Sequence, residues 1–181
     1  MTGDGDTLAL SVGKQLYWST VTCEDWTLYL LATDKGLARV TWPNQSFTEV
    51  VSWAEQHLPS SRRVHEPDRM ERYSQALLRY LNDHTAVDDH FELDLHGTEF
   101  QCDVWEALRS IPYGQTATYS DIAAKINRSG AVRVVARAIS ANPIAFLVPC
   151  HRIIGKDGSL TGYRGGVPLK ERLLRQEGSI G

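Results

Sequence analysis

The sequence predicts an α/β (α+β) protein in two parts. A small N-terminal strand-and-helix domain takes residues 1–90, and a mainly helical domain containing a helix-turn-helix takes residues 91–181. Three observations carry this expectation. Short β-rich runs crowd the first 42 residues and give way to helix-period segments before residue 83. From Gly97 onward the apolar spacing is mostly helical. The charge also reverses along the chain: residues 1–118 hold 9 Lys/Arg against 18 Asp/Glu, and residues 119–181 hold 10 against 4, within a net charge of −3.

The elements follow in order. The runs 16–21, 27–32 and 37–42 read as strands, and Asp34-Lys35-Gly36 is a hairpin signal between the last two. Ser46 with Glu49 three residues later forms a capping-box pattern. The helix it opens runs to about His57 and should bury Phe47, Val50, Val51 and Ala54, with Pro59-Ser60-Ser61 ending it. A second helix runs from Asp68 to about Asn82, with Met70, Tyr73, Leu77, Tyr80 and Leu81 near one side. His90 to Leu95 alternates with Phe91, Leu93 and Leu95 on one face, as a strand does. Segments 59–67 and 83–90 read as linkers. Gly97 or Thr98 starts a helix carrying Phe100, Val104, Trp105 and Leu108, and Ile111-Pro112-Tyr113-Gly114 stops it.

Thr118-Tyr119-Ser120-Asp121 then opens a short helix to Ile126, Asn127–Gly130 is a turn, and Ala131 to about Ala141 is a second helix. Two short helices joined by a glycine-containing turn describe a helix-turn-helix. Val132, Val135, Ala136 and Ile139 form the expected core stripe, and Arg133 and Arg137 lie one turn apart on a more exposed face. Small residues at Ala131, Ala136, Ala138, Ser140 and Ala141 would let this helix approach a groove closely. An ordinary helical hairpin with solvated arginines has the same pattern. The basic C-terminal third fits either a phosphate footprint or a charged interface between the two parts.

Composition bounds the class. Hydrophobic residues at 42 % and charged residues at 23 % describe an ordinary globular protein. No apolar run is long enough for a membrane span, and Met1–Asp6 is acidic, unlike a signal peptide. Cys23, Cys102 and Cys150 are odd in number and unpaired in spacing, which argues against disulfides and for a reducing compartment such as the cytoplasm.

The chemistry concentrates at Pro149-Cys150-His151-Arg152. The apolar run Ile144–Val148 before it reads as a buried strand that sets Cys150 at a pocket floor. A thiolate is the reactive form of cysteine, and neighbouring cationic or hydrogen-bonding groups lower a thiol pKa. A buried structural cysteine beside a surface histidine is the alternative.

Taken together, these residues resemble the O6-alkylguanine-DNA alkyltransferase family. The resemblance covers Gly97 to Gly178. It rests on Gly97–Gln101, Ile111–Gly114, Thr118-Tyr119, Ala141-Asn142-Pro143, Pro149–Arg152, Gly162-Tyr163-Arg164-Gly165-Gly166, Lys170-Glu171 and Leu173–Gly178. It implies transfer of an alkyl group from O6 of guanine in double-stranded DNA to the protein's own cysteine, once, without a cofactor. Cys150 would be the acceptor, His151 would take the thiol proton through a water, and Glu177 would orient the imidazole, folding back from the end of a helix over 168–176. In an extended segment Cys150 and His151 would point apart, leaving room for that water. Tyr119 would donate a proton to the leaving base. Arg133 would enter the stack vacated by an extruded nucleotide, and Ala131, Arg137, Ser140 and Ala141 would line the minor groove with it. Asn142, Val148, Ile153, Tyr163 and Arg164 would shape the base pocket around Cys150. Ala145 stands where many animal relatives have proline, which leaves adduct size open. No zinc site is expected, because Cys23 is the sole N-terminal cysteine and the histidines lack ligand spacing. A monomer is expected. Competing classes are a lesion sensor that binds without reacting, a helix-turn-helix regulator, and a Cys-His hydrolase.

Overall fold

The computed structural model describes residues 13–87, 91–160 and 162–181. The acidic start of the chain lies outside them. Strands β1 (Gln15–Cys23), β2 (Trp26–Thr33) and β3 (Gly36–Val40) form an antiparallel meander. Glu24-Asp25 and Asp34-Lys35 are its two-residue turns, and Glu24 takes the left-handed conformation at φ 53°. Helix α1 (Phe47–His57) follows, opened by the expected Ser46–Glu49 capping box, in which the backbone N–H of Ser46 donates to the Glu49 carboxylate at 2.7 Å. β4 (Arg62–His65) then pairs parallel to β1 and completes the order β3-β2-β1-β4. The expected linker 59–67 therefore holds an edge strand. Of Arg62-Arg63-Val64-His65 only Val64 packs against the core, and one apolar residue sets no strand period.

Both faces of this sheet are covered. Alternate residues Leu16 and Leu31 meet Val50, Ala54 and Leu58 on the α1 side. Tyr17, Val21, Leu28 and Leu30 face helix α2 (Pro67–Asn82) and its Met70, Tyr73, Leu77 and Tyr80. Burial of a side chain of this size is worth about 1.5–3 kcal/mol, and these contacts fix α2 to the sheet. Phe47 was expected in the core but is 38 % exposed. It sits at the first helical position and packs on the rings of Trp18 and Tyr29 at the rim. Val51 is half-buried.

The expected strand over 90–95 is reduced, in its described part, to a single parallel bridge between Leu93 and Leu37. Leu37 N–H donates to Glu92 O and Asp94 N–H to Leu37 O, after which the chain leaves β3. Gly36, at φ 149°, makes that approach feasible: a Cβ there would stand 2.3 Å from the Glu92 carbonyl.

Helix α3 (Glu99–Arg109) is capped by Thr98 and buries Val104, Trp105, Ala107 and Leu108, with Phe100 half-buried. β5 (Ala117–Thr118) leads into α4 (Tyr119–Lys125), a turn, and α5 (Val132–Ser140). Thr118 and Asp121 close a reciprocal cap at 2.8 and 3.2 Å. On α5 the core residues are Val135, Ala138 and Ile139. Ala138, whose carbonyl accepts from Trp105 Nε1 at 2.8 Å, is buried more deeply than the expected Val132 and Ala136, which are half-buried. A 3-10 turn over Cys150–Arg152, strand β6 (Ile153–Ile154) and α6 (Val167–Gln176) complete the chain. One apolar cluster runs from the sheet through α2 and α3 to α5 and Ile144–Phe146. Among the described residues no helix is long and apolar enough to cross a membrane.

Candidate active site

The expected strand over 144–148 is a tight turn. Val40 N–H donates to Pro143 O and Ala145 N–H to Val40 O, which pins the segment to β3 at one point only. Phe146 adopts φ 65° and Val148 N–H returns to Ile144 O. A short buried apolar run looks alike whether it extends or turns. Asn142 decides the matter here. It is fully buried; its Oδ1 accepts from Ile144 N–H at 2.9 Å and its Nδ2 donates to Val148 O at 2.9 Å and Ile144 O at 3.3 Å. The same Nδ2 reaches Cys150 Sγ at 3.2 Å. One side chain thus shapes the loop and addresses the thiol.

Cys150 and His151 share a 3-10 turn rather than an extended segment. His151 is fully buried, with Nε2 at 2.7 Å from Glu177 Oε1. Glu177 folds back as expected, at the C-terminal cap of α6. The carboxylate also accepts from Arg152, Nε to Oε2 at 2.8 Å and Nη2 to Oε1 at 3.0 Å, and Arg152 Nη1 donates to Ile111 O. His151 Nδ1 is buried without a hydrogen-bond partner among the described protein atoms. Arg152 and Tyr80, which lies 2.6 Å from Glu177 Oε1, belong to this cluster, although neither was assigned a role from the sequence. The signal available for Arg152 was its adjacency to His151; for Tyr80 there was none beyond its place on a core stripe.

The thiol reverses one expectation. Burial raises Cys150 to about 11, and the hydrogen bond from Asn142 with the charges of Lys170 and Arg164 offsets only part of that. The resting group is a thiol at neutral pH, so any attack on carbon needs a base. Burial also lowers His151, opposed by Glu177, and keeps the imidazole neutral and able to accept a proton. Burial pushes Glu177 up, but hydrogen bonds from His151 and Arg152 outweigh it and hold the carboxyl at about 2.

These shifts make the site a source of acid sensitivity. Glu177 titrates at 4.5 unperturbed and at about 2 when folded, so its contribution is full above 4.5 and is lost as pH falls towards 2. The size is on the order of 3 kcal/mol. His151 acts in the same direction: its folded value is depressed below 6.5, so stability declines as pH drops through that range. Urea titrations at pH 7, 5 and 3.5 should therefore show falling midpoints, and Glu177→Gln should start lower with a flatter pH dependence. Parallel curves for the two proteins would remove Glu177 as the cause.

The remaining expected residues sit around this centre. β5 and β6 pair in parallel, Ala117 with Ile153, which sets the start of α4 and Tyr119 beside the Cys150 turn. Burial, then the neighbouring Cys150, raises the Tyr119 hydroxyl. A Cβ on Gly162, which takes φ 70°, would lie 3.3 Å from that hydroxyl oxygen. Val148 and Ile153 are fully buried. Tyr163 is half-buried with its hydroxyl enclosed, and Trp42 meets its ring edge-on at 6.3 Å. Arg164 is exposed, accepts Asn44 Nδ2 on its carbonyl and lies over Trp42. Arg133, Arg137 and Ser140 are exposed on α5, with Ala131 and Ala141 half-buried at its ends. Val134, 50 % exposed, adds an apolar group to that face. Among the described residues no group of three or more His, Cys, Asp or Glu is placed to hold a metal ion.

Comparison with known proteins gives a consistent result. Residues 99–179 match the model of the DNA-binding domain of 6-O-methylguanine DNA methyltransferase. The chain is similar to the inducible methylated-DNA–protein-cysteine methyltransferase of Bacillus subtilis, 46 % identical over 162 residues and 90 % of both chains. It is similar in structure to Mycobacterium tuberculosis OGT crystallised in complex with DNA, with TM-score 0.76 and 36 % identity over 90 % of this chain and 93 % of that one. It is also similar to the O6-methylguanine-DNA methyltransferase of the hyperthermophilic archaeon Pyrococcus kodakaraensis, with TM-score 0.62 and 25 % identity over 91 % and 99 %.

Proposed function

The chain belongs to the methylated-DNA–protein-cysteine methyltransferase family, and from that premise we propose how its own residues carry out the reaction. The protein repairs DNA by moving an alkyl group from O6 of guanine to its own cysteine. The observation that supports Cys150 as the acceptor is the buried series Cys150, His151 and Glu177, a nucleophile beside a base that is itself held by a third group.

A water between Sγ and the unpartnered Nδ1 of His151 carries the thiol proton to the imidazole. The sulfur lone pair then forms the S–C bond as the C–O6 bond breaks, and that electron pair passes to the purine. The Tyr119 hydroxyl supplies the proton that neutralises the leaving base. Solvent reprotonates Tyr119 and discharges His151. The products are unmodified guanine and an S-alkyl thioether, which no further step removes. One chain therefore reacts once, with no cofactor.

Chemistry on a base requires its extrusion from the duplex. The exposed Arg133 and Arg137 on α5 face DNA, with Ala131, Ser140 and Ala141 permitting close approach to the minor groove. Asn142, Val148, Ile153, Tyr163 and Arg164 line the pocket that receives the base. We assign residues 1–90 a supporting part and 91–181 the binding and reacting part. We assign the protein to the cytoplasm as a monomer; its free cysteines suit a reducing compartment, and the groups of the centre all come from one chain.

Intact-mass measurement after mixing with a duplex containing O6-methylguanine tests the reading. A permanent gain of one methyl per chain, mapped to the Cys150 peptide, is expected. Tight binding with unchanged mass would instead describe a lesion sensor.

A further inference from the structure

Tyr80 lies on α2, packed against the sheet of the N-terminal part, yet its hydroxyl enters the reaction centre. It stands 3.0 Å from His151 Nε2 and 2.6 Å from Glu177 Oε1, and those two atoms are 2.7 Å apart. Three polar atoms thus form a closed triangle with no water-exposed edge, since Tyr80 and His151 are fully buried. The backbone beneath is also tied: Gln176 Nε2 donates to the Tyr80 carbonyl at 2.7 Å, so α2 is fastened to the end of the helix that carries Glu177.

An ionised carboxylate only accepts. Both the Tyr80 O–H and the His151 Nε2–H therefore point at Glu177 Oε1, and the Tyr80 oxygen can share the Nε2 proton. In a neutral imidazole one nitrogen carries the proton and the other is a bare acceptor. With Nε2–H fixed here, Nδ1 is the basic nitrogen, and it is the one without a protein partner.

We propose that Tyr80 is a positioning residue for alkyl transfer: its hydroxyl, delivered by the N-terminal part, holds His151 in the Nε2–H tautomer with Nδ1 available to the Cys150 proton. This rests on His151 being the base of the proposed reaction. Through Tyr80 the N-terminal part takes a direct share in the chemistry. Without the hydroxyl, one acceptor alone restrains the ring, and rotated or Nδ1–H states that cannot accept the proton gain population.

Tyr80→Phe keeps the ring that packs near Phe146 and Tyr113 and removes only the oxygen. The single-turnover rate at pH 7.5 should fall roughly five- to tenfold, the equivalent of one hydrogen bond. Affinity for an undamaged duplex should not change. The charged and titratable groups around the ring are Glu177, Arg152, Lys170 and Tyr80, with Cys150 next to it along the chain. Because the thiol titrates at about 11, hydroxide replaces the base at high pH, and the deficit should shrink as pH approaches 10. A loss of equal size at every pH, or no loss, would overturn the proposal. Nitrogen-15 NMR of His151 in the wild type is a second readout that needs neither the variant nor activity. Protonated Nε2 and bare Nδ1 are expected, and a dominant Nδ1–H form would overturn the assignment. A wild type with this tautomer that takes no methyl from DNA would instead sink the proposed function and leave the hydrogen-bond role of Tyr80 standing.

Discussion

Cys150→Ser is expected to abolish alkyl transfer while leaving DNA binding intact. A serine hydroxyl can keep the hydrogen bond from Asn142 Nδ2 that Sγ accepts at 3.2 Å, so the loop should hold its shape. The chemistry does not survive the exchange. An alkoxide is far harder to form than a thiolate, and a neutral buried imidazole cannot generate it at a useful rate. Loss of a nucleophile of this kind costs at least about a thousandfold. The groups expected to meet DNA lie on α5, away from the substitution, so duplex affinity should change little. The other two thiols offer no bypass. Cys23 donates to Asn82 Oδ1 in the core at 3.1 Å, and Cys102 lies on α3 beside Asp103 and Glu106, whose charges oppose a thiolate; burial raises both. Radiolabelled methyl counted per protein chain decides the matter. Stoichiometric uptake by the serine variant, or label on Cys23 or Cys102, would remove Cys150 from the reaction.

Much of the second half was legible because its residues are constrained locally. Thr118 and Asp121 cap α4 within three positions of each other, and Val135 and Ile139 keep a helical period whatever lies beneath them. Cys150 and His151 announced themselves by adjacency. What the sequence hid depends on partners far along the chain. The turn over 144–148 is set by Asn142 and by Val40, more than a hundred residues earlier, and an apolar run alone cannot report it. β4 is polar and exists because β1 offers an open edge. The high thiol pKa reflects total burial, which flanking residues do not reveal; the basic neighbours suggested the opposite sign. Tyr80 read as one more apolar-face residue on α2, since nothing local distinguishes a buried tyrosine with a catalytic neighbour from one that fills space. Its partners sit 71 and 97 positions away.

Arg133→Ala should separate extrusion of the base from the chemistry that follows. Arg133 is the second residue of α5, exposed, and its side chain makes no hydrogen bond or ion pair among the described residues. Its loss should therefore cost the fold little. On the helix face proposed to enter the minor groove, its guanidinium can fill the space left by an extruded nucleotide and hydrogen-bond the orphaned partner base. Unstacking and unpairing cost a few kcal/mol. If the arginine offsets about 2–3 kcal/mol of that, its removal should slow repair of duplex DNA by roughly 30- to 150-fold. A free O6-alkylguanine base needs no extrusion and reaches Cys150 directly, so its rate should stay within about twofold of wild type. Both rate constants can be measured on one preparation, each by mass gain on the protein. An equal loss on the two substrates would mean that Arg133 supports the pocket. An unchanged duplex rate would move the intercalating role to another group on α5, and the exposed Val134 beside it is the next side chain to substitute.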